Sequence, residues 1–482
     1  MKGLDLEKVS DGFLAFSWEN LSPKDRVKIL ADAQRTVWIF GAGASHHYNL
    51  NSRGVPMPLS NDFFRAFHEL PTSEGFHAHV GPLISFLAHY RGVKPHEASK
   101  WRENIEEFMT SVENELNNIV TRIKKGELDK IDMLEAFSTA AVFNNMTFIF
   151  ANVINEAQNG PSNSAYHYLL DFCRPNDTFI TFNWDTLLDR ALAATGGWTP
   201  NEGYSISFSS ALDTNWKKEV EALPNFNTNW KLLKLHGSTN WLVPLTHIHL
   251  KTFEYVSSVP KSDKIYLFWQ STFPYETHKN RWRGGYVPTC YCYYPPNIPA
   301  EAFPGDHLSA EPGRVFVKYT LVGIFSPFKE LSGGGILSSP LLITPVRQKR
   351  YDMYQSTIEN IWQKSLEVMR TADKIVIIGY SFPPTDTRIL ELLENALYLS
   401  QEGISVEIIA PDAKDIISRI GTEHLKKAKN IVTHSLKFEE YLQILSKDAP
   451  LLMKTAAAKY PEVRDWLERI YALGQASSEI FR

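Results

Sequence analysis

The chain has 482 residues, of which 43% are hydrophobic and 22% are charged, and its formal net charge is −4. This composition is that of an ordinary folded protein, and the length is enough for about three average domains. The small negative charge excludes bulk attraction to nucleic acid or to anionic lipid. We therefore expect no direct nucleic-acid binding and no membrane partner.

Two local basic clusters stand out against this balance, at His278–Arg283 and at Arg347–Arg350. Clusters of this kind are usually solvated surface, and we interpret both in that way. Binding of a partner through one of them is the alternative interpretation.

Cysteine is rare, with Cys173, Cys290 and Cys292 only. An odd and sparse count argues against a disulfide framework and is typical of a reducing compartment. Cys290 and Cys292 lack the spacing and the second pair of a zinc knuckle, so we interpret them as packing residues. The first residues do not form a signal peptide, and the most apolar stretch, 140–154, is too short to span a bilayer. We expect a cytoplasmic protein.

The N-terminal part begins with a predicted helical lead-in over residues 1–35, in which Ser22 and Pro23 resemble a helix start. Val37–Phe40 then predicts a buried strand, because it is short, apolar and rich in β-branched and aromatic residues. A further helix is expected from Ser60 to Phe67.

The loop Gly41-Ala42-Gly43-Ala44-Ser45 follows this strand directly. Two glycines let the backbone turn sharply and let a diphosphate approach the main-chain amides. His46 stands where a full G-x-G-x-x-G fingerprint has its third glycine. The loop is therefore either a phosphate-binding cradle or a plain turn at a strand end.

Three helices are predicted next, at 101–125, 134–157 and 164–173, from apolar residues at helical spacing. Two buried strands follow. Thr178–Phe182 leads into Asn183-Trp184-Asp185, and Leu232–Leu235 leads into His236. From Val243 to Leu341 aromatics, prolines and glycines increase, which indicates a β-rich insertion with long loops.

The C-terminal half returns to alternation of helix and strand. A helix is predicted from Gln355, and strands at Lys374–Ile378, Ile404–Ile409 and Ile431–Thr433. Strands that alternate with helices indicate an α/β fold with a Rossmann-like, doubly wound parallel sheet. In such sheets ligands bind at the carboxyl ends of the strands.

Polar residues and glycines follow several of these strands. They are Gly41 to Ser45, Asn183, Asp185, His236, Gly379, Ser381 and Asp412. Each one has an ordinary explanation: Asn183 and Asp185 as helix caps, His236 as a turn histidine, Ser381 as a turn hydroxyl. Together they fit a dinucleotide, with amides for the diphosphate, hydroxyl and carboxylate groups for ribose or adenine, and His236 as general base.

At this point the sequence resembles the sirtuin family. The resemblance rests on four motifs in order, Gly41–Ser45, Thr181–Asp185, Lys234–Ser238 and Gly379–Ser381. It implies that Asn183 and Asp185 match the nicotinamide pocket and that His236 matches the catalytic histidine. By the same resemblance Gly41, Gly43, Ser45, Gly379 and Ser381 match nucleotide-binding positions.

The chain departs from deacylating sirtuins at two places. It has no pair of Cys-x-x-Cys motifs, so no zinc module and no metal are expected, and Met57-Pro58-Leu59 replaces the family's residues after Gly54-Val55-Pro56. The pattern is more similar to the sirtuin-like effectors of bacterial anti-phage defence, which the resemblance implies are NAD-consuming. The segments Ile105–Phe108 and Phe438–Leu442 also resemble that branch.

The leading hypothesis is therefore an NAD+ glycohydrolase that uses NAD+ as substrate and acts in abortive infection. The alternatives are a non-catalytic sensor of NAD or ADP-ribose and a zinc-free protein deacylase. Because free hydrolysis of NAD+ would poison the host, we expect gating, and a homo-oligomer or a complex with a defence partner. The expected divisions are 1–70 (lead-in and start of the nucleotide fold), 71–160 (helical insertion), 161–242 (nucleotide fold), 243–344 (β-rich insertion), 345–445 (nucleotide fold completed) and 446–482 (helical tail).

Overall fold

A parallel sheet organises the protein, and a second, largely antiparallel sheet lies in the β-rich part of the chain. The computed structural model describes residues 7–9, 13–17, 35–51, 53–70, 77–127, 130–158, 160, 163–170, 172–174, 176–194, 198–208, 210–214, 230–244, 246–249, 254–257, 265–270, 277–278, 281–282, 291–293, 315–317, 336–346, 349 and 355–445.

The strands are β1 (Glu7–Val9), β2 (Phe13–Ser17), β3 (Thr36–Phe40), β4 (Thr178–Thr181), β5 (Ser210–Thr214), β6 (Lys231–Lys234), β7 (Gly237–Pro244), β8 (Thr246–His249), β9 (Glu254–Ser257), β10 (Tyr266–Gln270), β11 (Thr277–His278), β12 (Arg281–Trp282), β13 (Tyr291–Tyr293), β14 (Val315–Val317), β15 (Ile336–Leu342), β16 (Lys374–Ile378), β17 (Ser405–Ile409) and β18 (Asn430–His434).

The helices are α1 (Ala42–Ser45), α2 (Phe63–Glu69), α3 (His77–Arg91), α4 (Ile105–Lys124), α5 (Lys130–Ala157), α6 (Ser164–Leu170), α7 (Leu187–Ala194), α8 (Pro200–Gly203), α9 (Gln355–Arg370), α10 (Thr387–Leu399), α11 (Ala413–Ile420), α12 (Thr422–Leu425) and α13 (438–445), with a 3₁₀ helix at Pro95–Lys100. None of the helices in the described part of the chain is both long and apolar enough to cross a bilayer.

The large sheet has the strand order β1-β2-β18-β17-β16-β3-β4-β6, and all neighbours are parallel except β1 and β2. From β3 the chain proceeds through β4 and β6 to one side, and through β16, β17 and β18 to the other. This is the doubly wound Rossmann order, and the direction reverses between β3 and β16. The predicted α/β fold is confirmed.

Both faces of this sheet are covered. Every residue of β3 and of β16 is buried. Because successive side chains in a strand point to opposite faces, burial of all of them requires packing on each side. The apolar, β-branched runs that predicted these strands fit such doubly covered positions.

The helical insertion includes α3, α4 and α5. Helix α4 begins at Ile105, later than the predicted start at 101, because Asn104 caps it: its Oδ1 accepts the N–H groups of Glu106 (2.8 Å) and Glu107 (3.3 Å). Helix α5 begins earlier than predicted, at Lys130, and α3 was not predicted at all.

The β-rich part contains a six-stranded sheet in the order β14-β13-β15-β7-β10-β5. Strand β7 of this sheet begins at Gly237, directly after His236. The N–H of Ile343 donates to His236 O at 2.9 Å, so the end of the β-rich part lies beside the residue that precedes β7.

The N-terminal segment differs from the expected helical lead-in, since the residues described there form β1 and β2. Strand β2 pairs in parallel with β18, from the other end of the chain. A ladder with a distant strand is a contact that local helix signals do not report. The predicted helix start at Ser22, the cysteine Cys290 and the helical tail 446–482 lie outside the described residues.

Candidate active site

The loop after β3 packs directly on the loop after β16. The N–H of Gly41 donates to Ile378 O at 3.0 Å, and the N–H of Gly43 donates to Gly379 O at 2.9 Å. A Cβ atom on Gly41 would lie 2.5 Å from the Cα of Tyr380, and one on Gly43 would lie 2.9 Å from the Cα of Gly379. Contact between two loops therefore already requires glycine at positions 41 and 43.

The same contacts leave the loop with fewer backbone donors than its sequence suggested. The N–H groups of Gly41 and Gly43 are used as described, and that of Ala44 donates to Gly41 O at 3.0 Å. Ala42 is exposed at the pocket wall, and the hydroxyl of Ser45 lies 3.0 Å from the hydroxyl of Tyr166. Ala42, Gly43 and Ser45 are the residues of the loop that line the pocket.

Asn183 joins the end of β4 to this loop. Its Nδ2 donates to Gly41 O at 3.0 Å and to Ser45 Oγ at 3.2 Å, while its backbone N–H donates to Thr181 Oγ1 at 3.0 Å. The residue is buried. These contacts fix the side chain in one orientation at the pocket wall.

Asp185 combines the two interpretations that the sequence left open. Its Oδ1 accepts the N–H of Leu187 at 3.0 Å, so it caps the start of α7, and it also lines the pocket. Burial raises the pKa of Asp185, and the charge of Lys234 acts against that rise.

A buried ion pair contacts the backbone of the loop that carries Asp185. Lys234, at the end of β6, lies with Nζ 3.1 Å from Asp189 Oδ2, and both side chains are almost fully buried. The same Nζ donates to the backbone O of Asp185 at 2.5 Å. Lys234 therefore connects β6 to the loop that carries Asn183 and Asp185.

His236 follows β6 and faces a carboxylate that the sequence did not reveal. Its Nε2 lies 3.3 Å from Asp386 Oδ2. Lys349 Nζ lies 2.9 Å from the same oxygen, and the hydroxyl of Tyr380 donates to it at 2.5 Å. The imidazole packs edge-on against Phe182, with ring centroids 5.0 Å apart.

Burial and the charge of Lys349 favour a neutral His236 beside an ionised Asp386. Burial lowers the pKa of His236, and the charge of Lys349 lowers it further, whereas Asp386 and Glu106 raise it. Burial alone would raise the pKa of Asp386, but the charge of His236 whenever the ring is protonated, the charge of Lys349 and the hydrogen bond from Tyr380 hold that pKa well below the usual range of a carboxyl group. A neutral imidazole is the form that accepts a proton.

The ends of β16 and β17 supply the remaining predicted residues. Gly379 has φ +62°, and a Cβ there would lie 2.2 Å from Ala44 N, so both the conformation and the space require glycine. Ser381 and Asp412 are exposed at the pocket, and Asp412 forms an ion pair with Arg419.

One cavity of about 1310 Å³ lies at the carboxyl ends of β3, β4, β6, β16 and β17, where the strand order reverses. Gly41 and Ala44 belong to the loop behind its wall. The predicted site residues that line the cavity are Ala42, Gly43, Ser45, Asn183, Asp185, His236, Gly379, Ser381 and Asp412.

Lys349, Asp386 and Glu106 are among the charged residues of this cavity that sequence reasoning missed. Lys349 belongs to a basic cluster that we interpreted as solvated surface, but its side chain is only 5% exposed because it pairs with Asp386. Asp386 follows the Pro383-Pro384 break after β16, and a carboxylate just beyond a strand end was the available signal. Glu106, on α4, accepts the hydroxyl of Thr385 at 2.6 Å, so the helical insertion reaches the site.

The described residues contain no group of three or more His, Cys, Asp or Glu side chains placed to hold a metal ion. The polar groups that do converge are suited to other tasks. They can orient a water or a ribose hydroxyl, accept a proton, and place negative charge beside a developing cation.

No protein-family model matches the chain, and no curated protein sequence matches it. Solved structures of Sir2 homologues align with it. One, a mutant in complex with 2'-O-acetyl ADP-ribose, has 11% identity and a TM-score of 0.35 over 90% of this chain and 98% of its own. Another, a complex with NAD, has 13% identity and a TM-score of 0.33 over 89% and 94%. The doubly wound fold is identified by the strand order of the large sheet.

Proposed function

We propose that the chain is an NAD+ glycohydrolase that cleaves NAD+ to nicotinamide and ADP-ribose. The observation that carries the proposal is the convergence of Asn183, Asp185 and His236 in one cavity at the strand-order reversal. The cavity is large enough for a dinucleotide, since sites for smaller ligands measure about 300–1,000 Å³. The exposed Ser381 and Asp412 supply groups that bind ribose and adenine.

The chemistry asks little of the enzyme at the leaving group. Nicotinamide leaves NAD+ with the electron pair of the glycosidic bond and becomes neutral, so no acid is needed. The enzyme must stabilise the oxocarbenium-like sugar and direct a water to the anomeric carbon. The buried carboxyl of Asp185, when ionised, is suited to the first task.

Asn183 and His236 are suited to the second task. Both amide hydrogens of Asn183 are directed at protein acceptors, Gly41 O and Ser45 Oγ, so the side chain holds a water or hydroxyl through Oδ1. His236, neutral for the reasons given above, accepts the proton that the attacking water or a ribose hydroxyl gives up.

We further propose a biological role as a gated effector of bacterial anti-phage defence. The support is the sequence resemblance to that branch, together with the contact between Glu106 and Thr385. This contact couples the helical insertion to the loop that carries Asp386. Gating through the insertion, through a homo-oligomer or through a partner protein fits an enzyme whose free activity would deplete the host of NAD+.

The test is chromatography of the products after the purified protein is incubated with NAD+, with Asn183→Ala as the matched control. Nicotinamide and ADP-ribose from the wild type alone are the expected result. Binding of NAD+ without products, under activating conditions as well, would instead identify a sensor. Release of nicotinamide only in the presence of an acyl-lysine peptide would identify a deacylase.

A further inference from the structure

Two donors, Lys349 and Tyr380, and the imidazole of His236 meet at one carboxylate oxygen. Asp386 Oδ2 lies 3.3 Å from His236 Nε2 and 2.9 Å from Lys349 Nζ, and it accepts the hydroxyl of Tyr380 at 2.5 Å. The side chain of Asp386 is only 1% exposed. A carboxylate so deeply buried and so fully surrounded by donors is fixed in position.

The arrangement also fixes the imidazole. An ionised carboxylate only accepts hydrogen bonds, so its contact with Nε2 favours the tautomer that carries the proton on Nε2. Nδ1 then carries the lone pair. The edge-on packing against Phe182 further restricts the orientation of the ring.

Lys349 and Asp386 have opposite effects on the pKa of His236, because the cation lowers it and the carboxylate raises it. Lys349 approaches the same oxygen as His236, and it arrives at the end of the β-rich insertion, where Ile343 pairs with His236 O. Removing this cation would leave Asp386 paired with His236 alone, which favours the imidazolium. The lysine therefore keeps the imidazole available as a base.

We propose that Asp386 and Lys349 are positioning residues for His236: Asp386 selects the tautomer with the lone pair on Nδ1, and Lys349 keeps the ring unprotonated. This inference rests on the proposed glycohydrolase function for its catalytic meaning. The role that we assign to both residues is to set the orientation and the protonation of the histidine. They act through the histidine, in the way that a buried aspartate orients histidine in the hydrolase triad.

The test is NMR titration of His236 in protein labelled at histidine Cε1, with the resonance assigned by its absence in His236→Asn. The charged groups that face the ring are Asp386, Lys349 and Glu106, with Tyr380 as a further titratable group. Asp386→Asn should lower the pKa of His236, and Lys349→Met should raise it, each by about one pH unit or more. Exposed matched controls, Asp415→Asn and Lys100→Met, should leave it in place.

Turnover of NAD+ supplies the second readout. Asp386→Asn should lower kcat by about a hundredfold or more with little change in KM. The acidic limb of its pH–rate profile should move to lower pH. Lys349→Met should move that limb to higher pH. A loss of folding would not move the acidic limbs of the two variants in opposite directions.

The outcomes separate the inference from the proposed function. If both variants leave the titration of His236 unchanged, or move it in the same direction, the positioning roles are wrong whatever the activity. If the titration moves in opposite directions but no variant and no wild-type preparation cleaves NAD+, the positioning stands and the glycohydrolase fails.

Discussion

Two buried clusters in this protein contain the same four kinds of side chain: a histidine, a lysine, a tyrosine and a carboxylate. The site cluster consists of His236, Lys349, Tyr380 and Asp386, and the sheet cluster consists of His434, Lys374, Tyr441 and Glu407. In each, the imidazole, the ammonium and the hydroxyl lie around one carboxylate.

The sheet cluster is as tightly arranged as the site cluster. His434 Nε2 lies 2.6 Å from Glu407 Oε1, and the hydroxyl of Tyr441 donates to the same oxygen at 3.1 Å. Lys374 forms an ion pair with Glu407. Burial alone would raise the pKa of Glu407, but the charges of Lys374 and His434 hold it well below its usual range.

The clusters differ in where they lie on the strands. Lys374 begins β16 and Glu407 lies within β17, whereas His236 and Asp386 follow the carboxyl ends of β6 and β16. Each side chain of the site cluster lines the cavity, and none of the four in the sheet cluster does. A buried charge network is therefore no sign of catalysis by itself, and the difference between the clusters is whether they line the cavity.

Replacing each of the two histidines by alanine should give the largest difference between the two clusters. His236→Ala should reduce NAD+ turnover by about 10²–10⁴-fold while the protein stays folded, because a general base is lost. His434→Ala should lower the melting temperature and leave the turnover of the folded protein unchanged. Product assays and thermal scans of both variants measure the two effects. Wild-type turnover in a folded His236→Ala protein would refute the assignment of the base.

The carboxylate of the sheet cluster should have the next largest effect. Glu407→Gln leaves Lys374 and His434 buried without their anion, and breaking a buried pair costs about 3–5 kcal/mol. Chemical denaturation measures this loss, and the exposed Glu402→Gln is the matched control. If Glu407→Gln is as stable as Glu402→Gln but loses turnover, the sheet cluster belongs to the site after all.

The same comparison has a predicted pH dependence. The folded-state pKa of Glu407 is below its unfolded value of about 4.3. Its stabilisation is therefore fully present above that pH and is lost as the pH falls toward the folded-state pKa. The difference in stability between wild type and Glu407→Gln should shrink on acidification. A difference that grows below pH 4 would contradict this sign.

Much of the site was predictable because it follows from strands. Continuous apolar runs such as Val37–Phe40 and Lys374–Ile378 form buried strands close to their predicted bounds. Carboxyl ends of parallel strands meet at one edge, so the residues that follow them come together without any knowledge of side-chain contacts. In this way the sequence predicted that Asn183, His236 and Ser381 lie close together, and all three line the cavity.

The partners of His236 were not predictable on that basis. Lys349 reaches it only because the β-rich insertion returns to β7, a path that local sequence does not specify. Asp386 lies beyond two prolines, in a loop with no regular period. Tertiary contacts between distant segments decide both, as they decide the pairing of β2 with β18.

The glycine contact beneath the site cluster offers a sharper test. Gly379 and Gly54 both have positive φ, but a Cβ on Gly379 would meet the loop after β3, whereas one on Gly54 would meet nothing within 4 Å. Gly54→Ala should cost about 1–2 kcal/mol from its backbone conformation. Gly379→Ala should cost about 1–3 kcal/mol more and reduce turnover, because the loop that carries Tyr380 and Asp386 is displaced.

Denaturation and turnover of these two alanine variants are measured together. Equal stabilities would mean that the two loops separate without cost. The packing of Gly379 on Gly43 would then not support the site.

The two tyrosine hydroxyls should have the smallest effects and compare the clusters atom for atom. Tyr441→Phe removes one hydrogen bond to a buried carboxylate and should cost about 1.5–3 kcal/mol of stability without changing turnover. Tyr380→Phe keeps the ring that stacks on Phe182 at 4.2 Å and removes the hydroxyl that donates to Asp386. Turnover should fall by about tenfold or less, since His236 and Lys349 still contact that carboxylate.

The two phenylalanine variants show whether each hydroxyl affects stability or turnover. Denaturation midpoints and NAD+ turnover, measured on both phenylalanine variants, should give a stability loss for Tyr441→Phe and a rate loss for Tyr380→Phe. If Tyr441→Phe lowered the rate and Tyr380→Phe only the stability, the roles of the two clusters would be reversed. Both substitutions delete a hydroxyl that donates to a buried carboxylate. The type of group removed could therefore not explain such a result, and the location of each cluster in the fold would have to explain it.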